Sequence, residues 1–160
     1  MTKPILFVSI LLLMISCSSP TKQTGNNSLE EKANKLYESE SYAEAKSLYD
    51  TLIAADRANG EYYFKRAYCK SMLSSDDPSV IADYLQAIKH NYSKKQSAYL
   101  NIGAEHRFRA VFRSTTNQAR KAEYDTALYF YNESLKVDPN NAKALREKQE
   151  VLENLKVLGN

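Results

Sequence analysis

The chain has 160 residues, with 22 Lys and Arg against 19 Asp and Glu, for a formal net charge of +3. A charge so nearly balanced gives no basic field for nucleic acid, and the length allows one modest core. With only four Gly and four Pro the body has few breakers and is predicted to be mostly helical. The two histidines, His90 and His106, have no Cys or carboxylate partner at metal-ligand spacing. Glycines at 25, 60, 103 and 159 cannot form a phosphate loop, and no Ser, His and Asp grouping stands above chance. A non-enzyme without cofactor or metal is expected.

The N-terminus, "MTKPILFVSILLLMISCSSP", has Lys3 as its only charge before an apolar run from Ile5 to Ile15. That run is about half of the ~20 residues a membrane span requires and suits the apolar region of a secretion signal. Met14-Ile15-Ser16-Cys17 resembles the lipobox of bacterial lipoproteins, with Met14 where Leu is usual. The resemblance implies removal of residues 1–16 and acylation of Cys17 on its sulfur and new amine. Two or more acyl chains anchor durably where one does not. An ordinary signal peptide with a chance Cys is the competing reading. Ser18, where inner-membrane lipoproteins of enteric bacteria tend to carry Asp, favours the outer membrane. Residues 17–27 lack large apolar side chains and read as a flexible tether.

Residues 28–141 repeat themselves. "YAEAKSLYDTLI" at 42–53, "DPSVIADYLQAI" at 77–88 and "YDTALYFYNESL" at 124–135 align without gaps. A small place is held by Ala45, Val80 and Ala127, an aromatic place by Tyr49, Tyr84 and Tyr131, and Ile53, Ile88 and Leu135 close one helical stripe. Asp76-Asp77-Pro78 reads as the start of the second copy's helix. Each stretch follows another helix with a small residue at the close approach, namely Ala33, Ala67 and Gly103. A larger residue there would overpack the hairpin at about 1–3 kcal/mol. Tyr at the aromatic place is expected to fill the gap between hairpins and keep its hydroxyl wet.

The first two copies are 35 residues apart, from Ala45 to Val80, and paired helices near a 34-residue period resemble the tetratricopeptide repeat (TPR). The third copy's ending, "LKVDPNN", is very like the family's. The first two lack that Pro, and Lys70 stands where the family usually has a large apolar residue. The resemblance implies an all-α, right-handed solenoid of about three hairpins (28–58, 60–92 and 95–141). A generic helical bundle is the alternative. Cys69, in an amphipathic stretch, reads as a small buried hydrophobe, against a redox or partner-linking thiol.

The second and third copies are 47 residues apart, from Val80 to Ala127. The surplus falls near 107–123, "RFRAVFRSTTNQARKAE", and predicts a protruding hairpin turning at Ser114–Asn117. Its Arg109, Phe112, Arg113, Arg120 and Lys121 are read either as a solvated face or as a docking tip for an acidic partner or lipid head groups. Residues 142–160 carry an apolar stripe through Leu145, Val151, Leu152 and Leu155 and read as the solenoid's cap. They are too short to argue a coiled-coil dimer.

In the TPR family the first helix of each pair lines the inner groove. The resemblance therefore points to Asn34, Tyr37 and Glu38, then Phe64, Tyr68 and Ser71, then Leu100, Ala104 and Arg107. The expected function is a lipid-anchored module of the bacterial envelope that binds a protein partner as a peptide or helix. The alternative is a subunit of a secretion, pilus or outer-membrane assembly machine docking through the Arg-rich hairpin. A small-ligand carrier is a third, weaker class.

Overall fold

The computed structural model describes residues 21–74 and 77–159, with side chains from Asn27. Among them are seven helices and no strand: α1 Thr21–Glu38, α2 Tyr42–Ala55, α3 Gly60–Leu73, α4 Ser79–Lys89, α5 Lys95–Phe112, α6 Asn117–Val137 and α7 Ala142–Leu158. They stack as three consecutive hairpins, α1/α2, α3/α4 and α5/α6, with α7 packed on the last. Leu145 on α7 is exposed, whereas Ala144 and Val151 are buried.

α1 begins at Thr21, inside the segment expected to be a tether, so residues 21–27 are helical. Extending a helix that is already nucleated costs far less than starting one. The leader and Cys17 lie outside the described residues.

The aromatic place organises the interior. Tyr49, Tyr84 and Tyr131 are at most 1% exposed, so the expectation of wet hydroxyls is corrected. The Tyr49 hydroxyl donates to Asn34 Oδ1 on α1 at 2.9 Å. The Tyr84 oxygen accepts from Asn101 Nδ2 on α5 at 3.1 Å. Tyr131 is buried beside Glu147 and Arg107. The Tyr49 and Tyr84 side chains cross the repeat from the second-helix layer to a polar group in the first-helix layer and are bonded there, whereas the Tyr131 hydroxyl has no hydrogen-bond partner among the described residues. A buried hydroxyl is tolerated when it is bonded.

The small places admit these rings. Ala33 and Ala67 are fully buried, and a Cβ on Gly103 would lie 2.5 Å from Tyr131 Cε1. A Cβ on Gly60, the first residue of α3, would likewise lie too close to the end of α4, 2.8 Å from the Ala87 carbonyl oxygen.

Lys70 departs from the family's apolar pattern because its neighbours are charged. Arg66 donates to Asp83 through Nε at 2.8 Å and Nη2 at 2.6 Å, and through Nη1 to Asp50 at 2.8 Å. Lys70 Nζ is 2.8 Å from Asp83 and donates to Ser79 Oγ at 2.7 Å. One buried carboxylate thus joins α3 to α4, and Arg66 reaches on to α2. Breaking such a buried pair on one side costs about 3–5 kcal/mol. Cys69 is fully buried, and burial pushes its thiol up to about 11, as suits an inert core residue.

The third hairpin is the longest. α5 and α6 have 18 and 21 residues where α3 and α4 have 14 and 11. The turn between them covers Arg113–Thr116, and Thr116 caps α6 by accepting from the Ala119 N–H at 3.1 Å.

Two outcomes are expected. Gly103→Ala should lose about 1–3 kcal/mol through overpacking on the Tyr131 ring, measured by urea unfolding; an unchanged midpoint would mean that the ring moves freely. Tyrosine burial also sets an alkaline limit. Burial raises Tyr49, Tyr84 and Tyr131 well above the ordinary 10.0 and Tyr92 to about 12. The folded state therefore holds protons that the unfolded chain releases. Stability is intact below pH 10 and falls as pH rises through and beyond it. Tyrosinate absorbance from these rings should appear together with loss of helical circular dichroism. Full ionisation with helicity retained would contradict the buried-hydroxyl account.

Candidate functional site

The first helices of the hairpins share a layer. Tyr62 on α3 donates to Glu30 on α1 at 2.8 Å, and Lys65 on α3 donates to Asn34 on α1 at 2.8 Å. Arg107 on α5 reaches α7, with Nε 3.0 Å from Glu147 and Nη1 2.7 Å from Glu150. The presented side chains between these links form the candidate inner face.

Of the residues expected there, Asn34, Tyr37, Tyr68, Ser71 and Ala104 are half-buried and Glu38 is exposed. Phe64 and Leu100 are corrections, because both are buried in the core. Phe64 stacks on Tyr92 with centroids 4.5 Å apart and packs on Tyr84 at 5.4 Å. Leu100 belongs with Ala110, Tyr124 and Tyr131 under α7. Helix periodicity placed both on the right helices, but the Tyr84 and Tyr92 rings cover Phe64 and the core under α7 takes in Leu100. Arg107 is half-buried and spent in structure: burial pulls its guanidinium down, and Glu147 and Glu150 outweigh this to hold it above its ordinary value.

The most developed part of the face is a tyrosine cluster. Tyr37 lies 5.4 Å from Tyr68 and 6.3 Å from Tyr42, and Tyr42 lies 5.9 Å from Tyr68, in tilted and edge-on arrangements. Such aromatic contacts are favourable. Lys65 Nζ sits 5.9 Å over the Tyr37 ring. Met72, one turn beyond Tyr68, is 53% exposed. The sequence reading missed Tyr42, Lys65, Met72 and Asn101 as neighbours of the site. The i+4 step from Tyr68 to Met72 was the available signal.

The hairpin tip divides by role. Arg120 donates through Nε to the Ala110 carbonyl at 3.2 Å, through Nη2 to the Ser114 carbonyl at 3.3 Å and through Nη1 to Asn117 at 3.3 Å. It ties the end of α5 to the turn, which corrects its reading as a docking residue. Lys121 pairs with Asp125 at 2.7 Å. Phe112 is 69% exposed and packs at a tilt on Phe108, with Arg113 over the Phe108 ring at 6.0 Å. Arg109, Arg113, Ser114, Thr115 and Pro78 line an open cleft of about 470 Å³ at the hairpin's side. His106 Nδ1 lies 2.7 Å from Glu123 Oε2 at the base.

No family model and no curated protein matches the chain. Solved structures do match. The chain is similar to the first TPR domain of Spaghetti (RPAP3) bound to the HSP90 peptide SRMEEVD, at 25% identity and a TM-score of 0.66, over 82% of this chain and 93% of that one. It is similar to the first TPR domain of human RPAP3, at 25% identity and a TM-score of 0.65, over 84% and 94%. The TPR domain of Arabidopsis OM64 matches at 22% identity and a TM-score of 0.65, over 80% and 94%, a likeness of fold alone. The fold is a TPR helical-hairpin solenoid.

Arg120→Ala should loosen the tip. Backbone amides from Ala110 to Thr116 are expected to exchange hydrogen several-fold faster, because two carbonyls lose charge-assisted partners. Lys121→Ala should leave them unchanged. Equal exchange in both variants would return Arg120 to the list of surface residues.

Proposed function

We propose that the chain is a non-catalytic protein-interaction module that receives a peptide or partner helix on its inner face. The observation that carries this reading is the presented cluster of Tyr37, Tyr42 and Tyr68 beside Asn34, Ser71 and exposed Met72. Tyrosines that present a rigid, amphipathic surface bind at low entropic cost, and Tyr is among the residue types that dominate binding energy. The matched Spaghetti domain, bound to a peptide, supports the same use of the fold here.

In this proposal the module is held to a bacterial membrane through acylated Cys17, most consistently the outer membrane. The lipobox-like Met14–Cys17 is its support. None of the described helices is long and apolar enough to cross a membrane. A second reading makes the chain a subunit of an envelope machine docking through the third hairpin. Exposed Phe112 and the cleft lined by Arg109 and Arg113 favour it.

The test is crosslinking followed by pull-down from membranes with the lipidated protein. Partner recovery lost on Tyr68→Ala and kept on Arg113→Glu supports the inner face. The reverse pattern selects the hairpin. Recovery that is insensitive to both variants rejects both surfaces. Truncating a central aromatic contact should weaken binding by about 2 kcal/mol or more.

A further inference from the structure

We infer that the inner face takes a basic peptide segment and rejects acidic ones; this deepens the peptide-binding reading above and rests on it. The reason lies in which charges on the face are already used.

Two cations stand in the first-helix layer between the hairpins, and the protein's own carboxylates hold both. Lys65 Nζ is 2.7 Å from Glu61 and also donates to Asn34. Arg107 is taken by Glu147 and Glu150. A carboxylate arriving at either would meet a cation whose charge the protein's own carboxylates already offset. Arg109 lies beyond them, at the root of the hairpin, facing the Pro78 cleft.

The acidic groups are placed differently. Glu38 is exposed next to Tyr37 at the end of α1. Glu30 accepts one bond, from the Tyr62 hydroxyl, and keeps its remaining acceptor capacity. Glu31 and Lys35 flank them on the same side of α1 and largely offset each other. Glu105 on α5 is half-buried. Its carboxyl is pushed up by burial, against a smaller pull down from Arg109, so a cation seated beside it would relieve part of that cost.

The neutral groups fit the same ligand. Asn34 Oδ1 accepts from both the Tyr49 hydroxyl and Lys65 Nζ, which fixes the amide orientation because Lys can only donate. The Nδ2 group is thereby turned away from these donors, as a donor for a peptide carbonyl. The half-buried ring of Tyr68 and the side chain of Met72 offer an apolar bed for the stem of Lys or Arg, and the Tyr68 ring face can attract its cation, the Tyr37 ring already lying under Lys65. The occupant that complements this set is an extended segment with one or two Lys or Arg residues next to an apolar one. The acidic SRMEEVD carried by the matched Spaghetti domain is its opposite in charge.

The experiment is fluorescence anisotropy of the full chain with labelled heptapeptides of equal apolar content. Their net charge is graded from acidic to basic, and SRMEEVD is included. The basic members should bind about tenfold more tightly than the acidic ones, an exposed attraction gained and a similar repulsion avoided. The preference should shrink with added salt. Glu38→Lys, at an exposed position and checked for helicity by circular dichroism, should reduce or invert it. Tyr68→Ala should weaken all peptides. If SRMEEVD binds as tightly as the basic peptides and Tyr68→Ala still weakens both, the charge inference is overturned and the inner-face reading stands. If basic peptides bind but neither variant changes them, the site lies elsewhere and the inference fails. If no member of the series binds, both readings fall.

Discussion

Every hairpin depends on one steric exchange. A tyrosine from the second helix occupies space that a small residue on the first helix leaves open. In the third hairpin the exchange is tightest, because the Gly103 backbone lies against the Tyr131 ring at a distance that excludes even a methyl group. In the first two, Ala33 and Ala67 are fully buried in the cluster that contains Tyr49 and Tyr84. The ring brings a hydroxyl with it, and that hydroxyl must be satisfied where it ends. Asn34 and Asn101 meet this need for Tyr49 and Tyr84. The packing rule of the repeat therefore dictates polar residues on the first helices, and the candidate binding face is built around them.

The second hairpin solves a different problem. Its first helix carries Arg66 and Lys70 inward, and Asp83 on α4 pairs with both. Buried ion pairs add little net stability over apolar packing, but they are costly to break on one side. With Asp50 joined through Arg66, the network constrains how α2, α3 and α4 meet. A helix that slid or turned would strand a charge. The Tyr37, Tyr42 and Tyr68 cluster spans α1, α2 and α3, so its geometry depends on this registration.

The extended hairpin shows how much of a basic run is engaged inside the fold. Arg107 is committed to α7, Arg120 to the turn's carbonyls, and Lys121 to Asp125. Arg109 and Arg113 line the cleft, and Phe112 projects beside them. A positive stretch in a sequence is thus largely consumed by internal bonding before any partner arrives, and the inner face repeats the pattern with Lys65.

The sequence by itself determined the helical hairpins, their small and aromatic places and the surplus length of the third copy. These follow from spacing along one chain, and i, i+4 periodicity reports the faces of a helix directly. It did not determine which neighbour covers a given face. Phe64 and Leu100 have the same helical phase as residues that remain presented, but the stacked hairpins and α7 close over them. Arg120 reads in sequence as one more cation of the run, yet the fold of the turn brings two carbonyls within its reach. Tyr42 joins Tyr37 and Tyr68 from α2, and Lys65 on α3 reaches the Tyr37 ring on α1, contacts that no local pattern encodes. Tertiary structure decided these points because burial and pairing are properties of two surfaces, and a periodic pattern describes only one.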